Sequence, residues 1–191
     1  MKKKLLKYGI LSFFGIAMIY QFIPIGDYCR GLLNGLNLLF FGGLLILTFL
    51  IITIRSLLKL FKQKKQFDFI PFFLIIFFGV CTYLIIGLEN EKFWTKRILV
   101  GIIEVYGTPK SGTLTLYKNG SFGATYHKAD YSCTFQGNYE IKNDTLLLKR
   151  KNLNELTEKT FTTEYIIDRK NNILKPKNKD FKIVEITTLT E

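Results

Sequence analysis

The densest group of chemically capable side chains is the stretch HKADYSC, where His127, Asp130 and Cys133 recur every three residues. An imidazole, a carboxylate and a thiolate together suit a soft or borderline metal ion. The chain has one histidine and three cysteines (Cys29, Cys81 and Cys133), with neither a CxxC pair nor Cys/His zinc spacing. A structural metal site normally takes four ligands. The three residues therefore read as a surface histidine, a turn aspartate and a strand cysteine, and neither metal nor cofactor is expected. Nucleophile-elbow, HExxH and phosphate-loop patterns are absent from the sequence, which gives no sign of an enzyme. Asn119-Gly-Ser and Asn143-Asp-Thr match the glycosylation pattern, but both fall where hairpin turns are expected, and asparagine is favoured in turns for its backbone geometry.

What must hold these residues divides into two parts with different solvents. The chain has 191 residues, is 48% hydrophobic and carries a formal net charge of +12. Residues 1–88 hold ten Lys/Arg against two acids (Asp27 and Asp68), and residues 89–191 hold seventeen against thirteen. The excess thus sits beside apolar runs, where membrane topology accounts for it. A net charge of +4 over the second part is no footprint for nucleic acid.

Three apolar runs, at about 5–25, 36–54 and 69–88, predict three transmembrane helices forming an anchor over residues 1–88. The first, opened by Lys2, Lys3, Lys4 and Lys7, reads as an uncleaved signal anchor because no small-x-small site follows it. A basic loop over 55–65 carries Arg55, Lys59, Lys62, Lys64 and Lys65, whereas the connection over 26–31 has only Arg30, opposed by Asp27. By the positive-inside rule the N-terminus and basic loop are cytoplasmic, and everything after the third helix is extracytoplasmic. An integral protein of the cell (inner) membrane is expected. Gly31 and Gly35, with Asn34 and Asn37, suggest close helix packing.

After a juxtamembrane linker at 89–97, residues 98–191 change period. Strands are predicted near 98–106, 112–117, 121–127, 132–141, 145–150, 160–168, 172–175 and 181–187, with a short helix in NLNELTEK. A three-residue Lys118-Asn119-Gly120 loop with a left-handed glycine pairs Leu116 with Phe122 and Leu114 with Ala124. A two-residue Asn143-Asp144 turn pairs Ile141 with Leu146 and Tyr139 with Leu148. The result is a small all-β antiparallel meander, as sheet or barrel. In architecture it resembles a shortened lipocalin-like barrel, without a lipocalin signature motif.

On this topology Cys29 and Cys133 share the oxidising side, which permits a disulfide closing a loop of about a hundred residues. It requires their Cα atoms to come within about 7 Å. The expected function is a membrane-anchored extracytoplasmic binding module, envelope-associated or protective, whose partner is a protein, an envelope component or a small ligand. The alternatives are a lipocalin-like carrier of a small apolar ligand and an enzyme of unrecognised type.

Overall fold

A computed structural model describes residues 2–63, 66–87, 92–104 and 111–189. Two compact units emerge, one of residues 1–23 and 32–91, the other of residues 24–31 and 92–191. The chain therefore passes between them three times.

The first unit holds helices α1 (Lys2–Tyr20), α2 (Leu32–Gln63) and α3 (Ile70–Gly87). Each packs against the other two, around Leu11, Met18, Leu45 and Phe78. Among the described residues two helices are long and apolar enough to cross a membrane, Leu32–Lys62 and Ile70–Gly87. Only 6% and 11% of their apolar windows are buried, so side chains such as Leu39, Leu47, Phe73 and Phe77 point outward. A core helix of a water-soluble protein would bury most of that surface. The first expected span, over 5–25, is shorter than the sequence suggested. Its apolar helical part is Leu6–Tyr20, about 22 Å at 1.5 Å per residue, against a hydrocarbon core of about 30 Å. The helix stops before Pro24, which biases Ile23 away from helical geometry, and Gly26 turns the chain at φ 69°. The basic segment is a second correction. It is not a loop but a continuation of α2 as far as Gln63, because Leu, Lys, Arg and Gln are all good helix formers. Lys64 and Lys65 lie outside the described residues.

The second unit contains β1 (Tyr28–Gly31), β2 (Arg97–Glu104), β3 (Ser111–Tyr117), β4 (Ser121–His127), β5 (Tyr131–Lys142), β6 (Thr145–Lys149), a one-turn helix α4 (Leu153–Leu156), β7 (Glu164–Asp168), β8 (Ile173–Pro176) and β9 (Val184–Leu189). Strands β2 to β9 form a closed eight-stranded antiparallel barrel. It closes because β5 is long. Its Ser121-facing half pairs β4 over residues 132–138, and its C-terminal end pairs β6 over 138–142. At the other end of the chain β2 pairs β9, so no open edge remains between first and last strands.

Both hairpin registers read from the sequence occur: Leu116 opposes Phe122 with Gly120 at φ 80°, and Ile141 opposes Leu146 across Asn143 and Asp144, both left-handed. Strand β7 starts four residues later than predicted. Phe161 and Thr162 are held in coil instead, their N–H groups donating to Thr157 Oγ1 and Tyr165 Oη.

Inward-facing residues form rungs across β2, β3, β4 and β5: Leu99–Leu116–Phe122–Gly137, then Gly101–Leu114–Ala124–Phe135, then Ile103–Gly112–Tyr126–Cys133. Each rung sets one glycine beside large side chains, the alternation that fills a small barrel. There is no space to spare at these glycines. A Cβ on Gly112 would lie 2.7 Å from the Phe161 ring, and one on Gly137 would lie 2.7 Å from Phe122. Leu146, Leu148, Leu153, Tyr165, Leu174 and Val184 complete one continuous core.

Candidate interaction site at the disulfide corner

Strand β1 adds to the outside of the closed ring, on the N-terminal half of β5. Tyr28 faces Thr134, Cys29 faces Cys133, Arg30 faces Ser132 and Gly31 faces Tyr131. Cys29 and Cys133 thus stand directly across from each other, and their sulfurs are joined as a disulfide. The connection read from the sequence as a bare loop over 26–31 is therefore part of the β-unit.

Polar contacts fix the same segment. The Asp27 carboxylate accepts from the Gln136 N–H at 3.0 Å and pairs with Arg150. Arg150 also donates to the Gln136 carbonyl at 2.8 Å, and the Gln136 side-chain amide donates to the Pro24 carbonyl at 3.1 Å. Gly31 is needed for approach: a Cβ there would sit 2.6 Å from the Asp130 carbonyl. The expected role of Gly31 in helix packing is corrected accordingly, since it lies against β5 rather than a helix.

The fate of the sequence candidates follows from strand alternation. His127 points to the outer face, where its Nε2 lies 3.1 Å from Thr113 Oγ1. Burial lowers its pKa, leaving a neutral imidazole at neutral pH. Cys133 points inward and its sulfur is committed to Cys29. Asp130 is in the turn before β5. The three do not converge, and no group of three metal-binding side chains exists among the described residues. In the basic run Lys149-Arg150-Lys151, Lys149 pairs with Glu140 and Arg150 with Asp27.

What the corner does assemble is aromatic and cationic. Tyr126 stacks on Phe135 with ring centroids 6.1 Å apart and meets Tyr131 edge-on at 6.1 Å. Lys128 lies over both tyrosines, 5.8 Å and 5.4 Å from their centroids, and pairs with Glu158. On the opposite, outer face of the sheet Arg30 lies over Tyr28 at 5.3 Å. Burial, then the hydrogen bond with Tyr131, pushes the Tyr126 phenol up to about 12. The Tyr131 phenol moves down, through the Tyr126 hydrogen bond first and Lys128 second. Sequence reasoning missed this group: Tyr126, Lys128, Tyr131 and Phe135 lie within ten positions, but their stacking depends on the β4–β5 register, and β1 joins from a hundred positions away. Arg30, the lone cation of a short connection, was the available signal for β1. No protein-family model, curated protein or solved structure matches the chain. Its function must be argued from the geometry.

Tyrosine burial carries a pH prediction. Burial first, and proximity to Tyr28 second, push the Tyr117 phenol up to about 12; burial moves that of Tyr165 up as well. The folded state then keeps protons that the unfolded chain releases above about pH 10. Stability from Tyr117 is fully present below that pH and is lost as pH climbs through about 12, amounting to about 2 kcal/mol. Melting temperature should fall between pH 10 and 12, while absorbance at the phenolate band lags the exposed tyrosines. Titration of every tyrosine near 10 without unfolding would contradict it.

Proposed function

We propose that the chain is a membrane-anchored binding module whose β-barrel works on the extracytoplasmic side and recognises a protein or other envelope component through its outer surface and rim. The observation that carries this reading is the filled barrel interior. With aromatic rings in contact with the inward glycines, recognition falls to the outside of the barrel. The disulfide corner lies at the rim, with Tyr126, Tyr131 and Phe135 on the inner face where β4 ends and β5 begins and with Tyr28 and Arg30 on the outer face, and it has the right composition, since tyrosine and arginine dominate the energetics of protein interfaces. Tyr131 is 37% exposed there. An eight-stranded barrel is also compatible with a lipocalin-like carrier, but a carrier needs a cavity of roughly 300 Å³ or more, and the rungs do not favour one.

The membrane assignment is supported by outward apolar side chains on α2 and α3, whose exposure to water would be costly at about 25 cal/mol per Å². Orientation rests on Lys2, Lys3, Lys4, Lys7, Arg55, Lys59 and Lys62 against the single Arg30. No catalytic role is proposed.

One experiment in intact cells tests both halves. In a Cys81→Ser background, an impermeant maleimide should label Lys170→Cys without permeabilisation and Lys62→Cys only after it. In the same cells a photocrosslinking residue in place of Tyr131 should yield a discrete adduct that one in place of Lys170 does not. Labelling of Lys62→Cys from outside reverses the orientation. Equal adducts from both positions remove the corner as the binding surface.

A further inference from the structure

The helical unit contains a cavity of about 680 Å³ at the end where α1 begins, α2 finishes and α3 starts. Its polar lining is Lys7, Tyr8, Arg55, Ser56, Lys59, Gln66 and Asp68, and Ile52, Phe67 and Ile70 supply an apolar wall. On α2 the spacing of residues 52, 55, 56 and 59 places them along one helix face.

The charges in this cavity do not cancel. Asp68 is engaged by Lys7 and accepts from the Tyr8 hydroxyl at 2.6 Å. Its second oxygen accepts from the Ile70 N–H at 3.3 Å, at the start of α3. The Asp68 N–H donates to Ser56 Oγ at 3.3 Å, which leaves the Ser56 hydroxyl proton free to donate. Among the described residues neither Arg55 nor Lys59 has an acidic partner. Two cations and a hydroxyl donor therefore converge on space that also has an apolar side. An isolated surface cation would be hydrated and indifferent to such a neighbour. Here the arrangement matches an oxyanion attached to hydrocarbon.

We propose that this cavity holds the phosphate headgroup of an anionic lipid, with Arg55 and Lys59 on the phosphate oxygens, Ser56 donating to one of them, and the glycerol end of the acyl chains against Ile52 and Phe67. Arginine suits bidentate contact with phosphate, whereas lysine acts as a point charge. The inference rests on the membrane reading above and adds a site to it. Basic pockets between helices on the cytoplasmic side are the physical setting in which such headgroups are retained, each cation being worth severalfold in affinity.

The test uses the full-length chain purified in detergent, with native mass spectrometry after addition of phosphatidylglycerol or phosphatidylcholine. Phosphatidylglycerol should be retained about tenfold better. Arg55→Gln with Lys59→Gln should abolish that preference, and Arg55→Lys with Lys59→Arg should keep it. Lys62→Gln, which removes a charge from α2 outside the cavity, should leave it unchanged. Millimolar inorganic phosphate should not displace the lipid. Equal retention of both lipids, an unaffected double glutamine variant that keeps its helix content, or an equal loss in Lys62→Gln each overturns the site. Displacement by inorganic phosphate would assign the cavity to a soluble phosphate and overturn the lipid. Alkaline carbonate extraction separates the two readings: a chain that leaves the membrane fails the membrane reading, whereas one that stays but shows no lipid preference fails the cavity alone.

Discussion

Phe122→Ala is expected to cost the barrel about 3–5 kcal/mol, the range for emptying a fully buried aromatic site. Phe122 is fully buried and stands between Leu116 and Gly137 on one rung. Its ring is the contact that forbids a side chain at Gly137. The reverse change, Gly137→Val, should therefore also destabilise, by about 1–3 kcal/mol, because the added methyls meet a packed ring and the Lys149 carbonyl rather than a mobile chain end. The two sites touch, so they should not add. Gly137→Ala combined with Phe122→Leu should lose clearly less than the sum of its parts. Thermal unfolding of the full chain in detergent checks all of these. A domain of this size shifts by about 4–8 °C per kcal/mol, so Phe122→Ala should melt well over 10 °C lower. A carrier with an open interior gives a different result. Valine at Gly137 would then enter empty space and change ligand affinity with little effect on melting. That outcome would sink the filled-barrel reading and the outer-surface proposal that depends on it.

How much of this was legible in the sequence depended on how local the determining contacts are. The Lys118-Asn119-Gly120 and Asn143-Asp144 turns were readable because turn geometry fixes register within a few residues, and the apolar alternation of Leu114, Leu116, Phe122 and Ala124 leaves only one register that buries them all. The helical character of Arg55 to Gln63 was hidden behind its charge. A basic run between apolar stretches signals topology, yet RSLLKLFKQ contains nothing that breaks a helix. Barrel closure was out of reach for a different reason. It depends on β5 serving β4 and β6 at once, and a twelve-residue strand does not announce its partners. The same holds for β1, four residues in what looked like a loop. Its identity comes from a disulfide, an Asp27–Arg150 pair and a glycine approach, all with residues about a hundred positions away. The β1 side of the candidate site lay in that non-local part, whereas Tyr126, Lys128, Tyr131 and Phe135 fall within ten positions and needed the β4–β5 register to be brought together. Its chemistry-bearing triplet was visible, but strand alternation sends His127 outward and Cys133 inward.

Breaking the Cys29–Cys133 bond should lower the stability of the β-unit by about 3–4 kcal/mol without abolishing its fold. The magnitude follows from chain entropy. The bonded residues are separated by 104 positions, and closing a loop of about that length restricts the unfolded chain by up to about 4.7 kcal/mol. The persistence of the fold follows from topology. β1 lies outside the ring, so strands β2 to β9 stay mutually paired when it leaves. Cys29→Ser with Cys133→Ala is the suitable pair, because Cys133 is buried and a serine hydroxyl there would add an unpaired polar group. Melting should drop by more than 10 °C, and the same drop should appear when the unaltered chain is reduced. Amide exchange adds the spatial part. The amides of Tyr28 to Gly31 should lose protection, while those of Leu114, Leu116 and Ala124 keep theirs under native conditions. Because Gly31 of β1 pairs directly with Tyr131, crosslinking from Tyr131 should weaken in step. Unchanged melting and unchanged β1 protection would mean that the strand pairing and the Asp27–Arg150 contact hold β1 alone. The corner would then survive in a reducing compartment, and the disulfide would carry no information about which side of the membrane the barrel occupies.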